Sequence, residues 1–172
     1  MKHQIIMAEE KDIIDQLIKD WNTERPELDL EAMHIVGRII KLGKVLEKKA
    51  SQALKDCKIH YTDLDVLATI RRSGPPYCLA PKQLMKSVLI TSGAMTALLD
   101  RLTKLELIYR APDKNDGRIK LAALTEKGIE VIDKAIVIRF DEAKDSVNYF
   151  EQEEQEQLSS LLKKMLTALK EE

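Results

Sequence analysis

Residues 91–128, TSGAMTALLDRLTKLELIYRAPDKNDGRIKLAALTEKG, change hydrophobic periodicity twice, and those two changes decide the fold. Met95, Leu98, Leu99, Leu102 and Leu105 recur at spacings of three and four, the pattern of a helix with one buried face. Thr91 or Ser92 stands where a hydroxyl can accept from the backbone N–H groups that open a helix without partners. Leu107 to Arg110 and Arg118 to Leu124 each suit a short strand, and Pro112-Asp113-Lys114-Asn115-Asp116-Gly117 between them is dense in turn formers. A further helix starts near Gly128. The order is therefore helix, two-stranded hairpin with a charged tip, helix.

The side of the first helix opposite its apolar stripe carries Gly93, Thr96, Ala97, Asp100, Arg101 and Lys104. A helix that enters a DNA major groove N-terminus first needs such a profile, small where the backbone comes close and hydrogen-bonding at base edges. Taken alone, the helix is equally an ordinary amphipathic surface helix. The hairpin decides between the two. Asp116 and Arg118 stand two apart at its tip, so Asp116 can hold the guanidinium in a charge-assisted hydrogen bond while Arg118 points outward, as a narrow minor groove requires. A charged tip by itself is a solvated turn, whereas one directly after a candidate recognition helix makes a wing. The candidate DNA contacts are Ser92, Thr96, Ala97, Arg101 and Lys104 on the helix, with Lys114 and Arg118 on the wing and Asp116 orienting Arg118.

Outward from this stretch the chain is helical. Residues 8–21 carry Ile13, Ile14, Leu17, Ile18 and Trp21 on one stripe, and Asn22 to Pro26 breaks the helix. Asp29 then caps a long helix to about Lys55, with Met33, Val36, Ile40, Gly43, Leu46, Ala50 and Leu54 at helical spacing. Such an unbroken stripe suits packing on another subunit or another long helix. Thr62 caps a helix from Asp63 to about Arg72, ended by Ser73-Gly74-Pro75-Pro76, and Pro81 opens a short one to Val88, leaving Cys78 in an apolar loop. With the recognition helix these make a helix-turn-helix. After Gly128, Ile129, Ile132, Ile136 and Phe140 continue a helical stripe toward Val147 and Phe150. Glu151 to Glu156 opens a last helix with Leu158, Leu161, Leu162, Met165, Leu166 and Leu169 along one side. The fold class is mainly α with a small β-hairpin wing: a winged helix-turn-helix over 61–124, flanked by helices over 1–60 and 125–172 that form a dimerisation domain.

At 172 residues, 44% hydrophobic and 33% charged, the chain is long enough to bury a core and too polar for a membrane protein. No stretch approaches the ~20 apolar residues of a membrane span, which points to the cytoplasm. The net charge of −1 argues against a nucleic-acid binder until its distribution is considered. Residues 61–124 hold 10 Lys or Arg against 6 Asp or Glu, a net of +4, while residues 125–172 hold 7 against 12, a net of −5. Positive charge is gathered where phosphate contacts are expected. His3, His34, His60, Cys57 and Cys78 show no metal-ligand spacing, so no metal or cofactor is expected.

Asp116-Gly117-Arg118, five residues, Leu124-Thr125, two residues and Gly128 together resemble the wing signature of the MarR family of bacterial transcriptional regulators. Trp21, Glu27-Leu28-Asp29-Leu30, Arg71-Arg72-Ser73-Gly74-Pro75-Pro76-Tyr77 and Thr91-Ser92-Gly93-Ala94-Met95-Thr96 resemble its PecS-like, urate-responsive branch. The resemblance implies a homodimeric repressor on a pseudo-palindromic operator in double-stranded DNA, released by a small, often aromatic anion such as urate. It implies a ligand site at Trp21, Asp65 and Arg110, with an Arg on the recognition helix; here that position is Leu98. Leu supplies neither charge nor donors, so urate binding should be weakened and a less charged ligand fits as well. Asp65, without that Arg, would turn to Arg110 or to solvent.

Three function classes remain. A ligand-responsive DNA-binding regulator explains the most residues. A winged-helix protein-association module would want an exposed apolar face where Thr96, Ala97 and Arg101 stand. A thiol redox-sensing regulator would want a cysteine in an electropositive, exposed setting, which Cys57 beside Lys58 meets only in part. An enzyme is not expected, since no Gly-rich phosphate loop or nucleophile–base arrangement is present.

Overall fold

The computed structural model describes residues 11–88, 92–113 and 116–169. They fall into two compact units, Met1–Lys48 and Lys49–Glu172.

In the first unit, α1 (Ile13–Glu24) opens where its apolar stripe does, with Asp12 as N-cap, and runs past Trp21 into the expected break. Asp12 Oδ1 accepts from the N–H groups of Ile14 (2.8 Å) and Asp15 (3.0 Å), and Asp15 Oδ2 accepts from the Asp12 N–H at 3.0 Å, a reciprocal cap. The Asp15 backbone N–H is the main reason the Asp12 carboxyl is held below the ordinary carboxylate range. Helix α2 (Met33–Ala53) follows. Asp29, expected to cap it, instead accepts from the Glu31 N–H at 3.1 Å in the turn before it. Arg38 of α2 reaches α1, donating from Nε to Asp12 (2.8 Å) and from Nη2 to Asp15 (2.7 Å). Gly37 lets the helices close up, since a Cβ there would stand 3.2 Å from Ile14.

The second unit holds the main core. After a 3-10 turn, Lys55–Cys57, come α3 (Tyr61–Arg72), β1 (Cys78–Leu79), α4 (Pro81–Ser87), α5 (Ser92–Lys104), β2 (Ile108–Pro112), β3 (Lys120–Leu124), α6 (Glu126–Asp145) and α7 (Gln152–Ala168). Helix α3 starts one residue before Thr62, with His60 as N-cap. The hairpin is part of a three-stranded antiparallel sheet of order β1-β3-β2, with Cys78 opposite Ala123 and Arg110 opposite Ala122. The segment around Cys78, expected as a loop, is thus an edge strand. Leu67 and Ile70 of α3, Leu84 of α4, Met95, Leu99 and Leu102 of α5, Ile108 of β2 and Ile132 of α6 share one core, none more than 1% exposed. Arg71 binds Asp133 of α6 through the Nε–Nη2 edge of its guanidinium (2.8 and 3.1 Å) and lies 4.7 Å over the Tyr77 ring.

Where the sheet meets α6 the chain is tightest. Thr125 Oγ1 accepts from the Gly128 N–H (2.9 Å) and donates to the Glu106 carbonyl (2.7 Å), while the Thr125 N–H donates to the Leu107 carbonyl at 3.1 Å. That places the first turn of α6 against the backbone entering β2. A Cβ on Gly128 would stand 2.0 Å from the Leu107 oxygen and 3.0 Å from its carbonyl carbon. Beyond this junction α6 and α7 leave much of their apolar stripes uncovered in the single chain: Phe140 is 68% exposed and Leu161 66%.

Gly128→Ala should cost about 3 kcal/mol, the upper range for overpacking against structure that cannot give way. A thermal melt should show a drop of roughly 6–12 °C for a domain of this size; a drop under about 2 °C would mean the junction relaxes freely.

Candidate nucleic-acid interface

Helix α5 is held by Met95, Leu99 and Leu102 on its inner side, while Gly93, Thr96, Ala97, Asp100 and Lys104 are exposed on the outer one. It follows α4, whose first turn carries Pro81 and the Gln83 side chain accepting from the Ala80 N–H at 2.9 Å. Ser92 opens α5; its side chain lies outside the described residues, as do Thr91 and Lys114.

The wing tip is ordered by short-range bonds. Asp113 Oδ1 accepts from the Asp116 N–H at 3.0 Å, and Asp116 Oδ1 accepts from the Arg118 N–H at 3.0 Å. Arg118 also donates Nε to Asp116 Oδ1 (3.0 Å) and Nη2 to Oδ2 (3.2 Å), a two-pronged clamp. The Arg118 side chain is nevertheless 91% exposed. Its guanidinium beside Asp116 holds that carboxyl below the ordinary carboxylate range, so the clamp stays charged at neutral pH and is lost only as pH falls through that lowered value. The hairpin therefore presents a cation of fixed orientation to solvent.

Arg101, an expected DNA contact, carries an ion pair within the fold. Its Nη2 is 3.1 Å from Oδ2 of Asp63, a carboxylate with no solvent exposure near the start of α3. Asp63 Oδ2 also accepts from the His60 N–H at 2.7 Å. A buried carboxylate needs a counter-charge, and Arg101 supplies it. Asp63 is thus a structural partner of the recognition helix that periodicity alone presented only as a helix start.

Of the expected ligand residues, Trp21 belongs to the first unit and Asp65, Leu98 and Arg110 to the second. Trp21 lies in the first unit, 47% exposed, in a shallow groove along α1 with Ile13, Leu17 and Glu24. In the second unit Asp65 is half-buried on α3, and burial pushes its carboxyl up against the opposing pull of Arg72 and Arg139. Those two cations, rather than Arg110, are the charges that bear on it. Leu98 packs on the core from α5. Arg110 has a buried Nη1 with no hydrogen-bond partner among the described residues. Cys57 and Cys78 are free, half-buried thiols. Among the described residues no cluster of metal-binding side chains occurs, and no helix is long and apolar enough to cross a membrane.

Known proteins resemble this chain in sequence and fold. The transcriptional regulator PecS of Dickeya dadantii is 28% identical over 149 residues, which cover 87% of this chain and 90% of that protein. The multiple antibiotic resistance protein MarR of Salmonella typhimurium is 31% identical over 107 residues, covering 58% and 72%. A mutant of E. coli MarR complexed with operator DNA superposes with a TM-score of 0.70 at 28% identity, over 81% of this chain and 99% of that one. The MarR family pattern itself matches residues 59–119, from the turn before α3 to the wing tip. The chain therefore belongs to the MarR family and is a winged-helix transcriptional regulator.

Proposed function

We propose that this regulator binds a pseudo-palindromic operator in double-stranded DNA as a homodimer, acts as a repressor in the cytoplasm, and is released by a small ligand. The observation that carries the DNA reading is the Asp116–Arg118 clamp on an open wing. Helix α5 would enter the major groove with Ser92, Thr96 and Ala97 leading and Lys104 reaching phosphate, while Arg118, with Lys114, lies in the adjoining minor groove. The uncovered apolar side chains of α6 and α7 support the dimer, since exposed patches of that kind mark association surfaces. The relatives are regulators rather than enzymes, and nothing in the clamp or the recognition helix calls for catalysis.

For the ligand, Asp65, Leu98 and Arg110 support a flat molecule with a donor for the half-buried acid and an acceptor for the unpartnered guanidinium. Leu98 removes the reason for a full negative charge at the middle of the site. A neutral or weakly acidic aromatic fits this set better than urate.

Fluorescence anisotropy of the protein on its own upstream intergenic DNA against a scrambled duplex tests the reading. Arg118→Ala should weaken binding to the upstream duplex and lower the slope of log affinity against log salt by about one, as loss of one phosphate-proximal charge requires; unchanged affinity would remove the wing from the interface. Sedimentation should give twice the 19.6 kDa chain mass, and Phe140→Glu with Leu161→Glu should shift it to monomer; a dimer that survives both charges uses another surface. Urate should displace the protein from DNA less effectively than neutral aromatics of similar size, and displacement by urate alone would show that Leu98 does not govern the charge of the effector.

A further inference from the structure

Asp63 and Arg101 join the start of α3 to the last turns of α5. Apolar contacts through Met95, Leu99 and Leu102 fix how deeply α5 sits, yet they are non-directional and tolerate small rotations about the helix axis. The ion pair ties one point on α5 to one point on α3, with Arg101 Nη2 3.1 Å from Asp63 Oδ2. Arg101 stands one turn beyond Ala97 and three residues before Lys104, so it lies on the side of the helix that carries both. Its anchor cannot follow a rotation, because Asp63 is completely buried and its Oδ2 is also committed to the His60 N–H that caps α3. Among the described residues Asp63 Oδ1 has no hydrogen-bond partner, and Arg101 is the one ion-pair partner of this carboxylate, through Oδ2.

A buried ion pair is a poor source of stability, since well-packed apolar residues of similar volume generally serve as well or better. A directional constraint is what such a pair can add. Resting on the DNA-binding reading above, we infer that Arg101 is a positioning residue: held by Asp63, it sets the rotation of α5 and so the aim of Thr96, Ala97 and Lys104 at the operator, without itself neutralising phosphate.

The test measures binding of wild type, Arg101→Ala, Asp63→Asn and the double variant to the upstream duplex and to the scrambled one, across a salt series, with thermal melts and titration of the DNA-binding-competent fraction alongside. Lys104→Ala serves as the phosphate-contact control. Loss of aim should resemble a mismatched base pair, so Arg101→Ala should lose roughly tenfold or more on the upstream duplex and little on the scrambled one. Its salt slope should stay at the wild-type value while that of Lys104→Ala falls by about one. Asp63→Asn should reproduce the loss, and the double variant should add nothing to it. Because Arg101→Ala leaves a buried carboxylate unpaired, the double variant also provides the comparison should the single one fold poorly.

A reduced salt slope for Arg101→Ala with equal losses on both duplexes would make Arg101 a phosphate contact and overturn the inference. So would wild-type binding by Asp63→Asn, or losses confined to melting temperature and active fraction with the preference between duplexes intact. Failure of the wild-type protein to prefer the upstream duplex over the scrambled one would defeat the DNA-binding reading itself, which the variant outcomes leave standing.

Discussion

The close approach of two backbones at Leu107 and Gly128 governs much of this molecule. Thr125 bonds to the carbonyls at the end of the recognition-helix turn and at the start of β2, and it caps α6 through the Gly128 N–H. One short junction therefore sets the exit of α5, the root of the hairpin and the direction of α6. Only a residue without a side chain fits, because the obstruction is a carbonyl group fixed in the sheet rather than a side chain able to turn away. The spacing Leu124-Thr125-x-x-Gly128 is the sequence form of that constraint.

The wing follows from the same geometry. Its central strand, β3, is paired on both sides, by β2 and by the two residues of β1, so the hairpin grows from a sheet rather than standing as an isolated ribbon. Local bonds then order the tip, first Asp113 to the Asp116 N–H and next Asp116 to Arg118. The bonds that order the tip are each short in sequence, whereas the sheet beneath it is closed by the distant β1.

What could be read in the residues and what could not divides along sequence distance. The recognition helix, the hairpin and the Asp116–Arg118 pairing were legible because periodicity, turn chemistry and a two-residue spacing are local signals. Helix starts were less so, since neighbouring polar residues compete: Asp12 and His60 hold the N-cap positions of α1 and α3, and Asp29 holds a turn. β1 is too short to show alternation, and its partners Ala122 and Ala123 lie far along the chain. The pairing of Asp63 with Arg101 is not legible for the same reason. Of the ligand site only residue identities were legible, because the electrostatic environment of Asp65 comes from Arg72 and from Arg139 on a later helix.

The Arg118 clamp bears on the timing of DNA binding. A guanidinium whose Nε–Nη2 edge is paired with a carboxylate is close to neutral when viewed from beyond a Debye length, about 8 Å at physiological salt. It does little to draw the protein toward a polyanion from afar. At contact, however, its rotamer is already chosen, so little side-chain freedom is lost on docking. On the proposed DNA-binding reading the wing would lengthen the residence of a complex rather than hasten its formation, leaving encounter speed to the other basic residues of the segment.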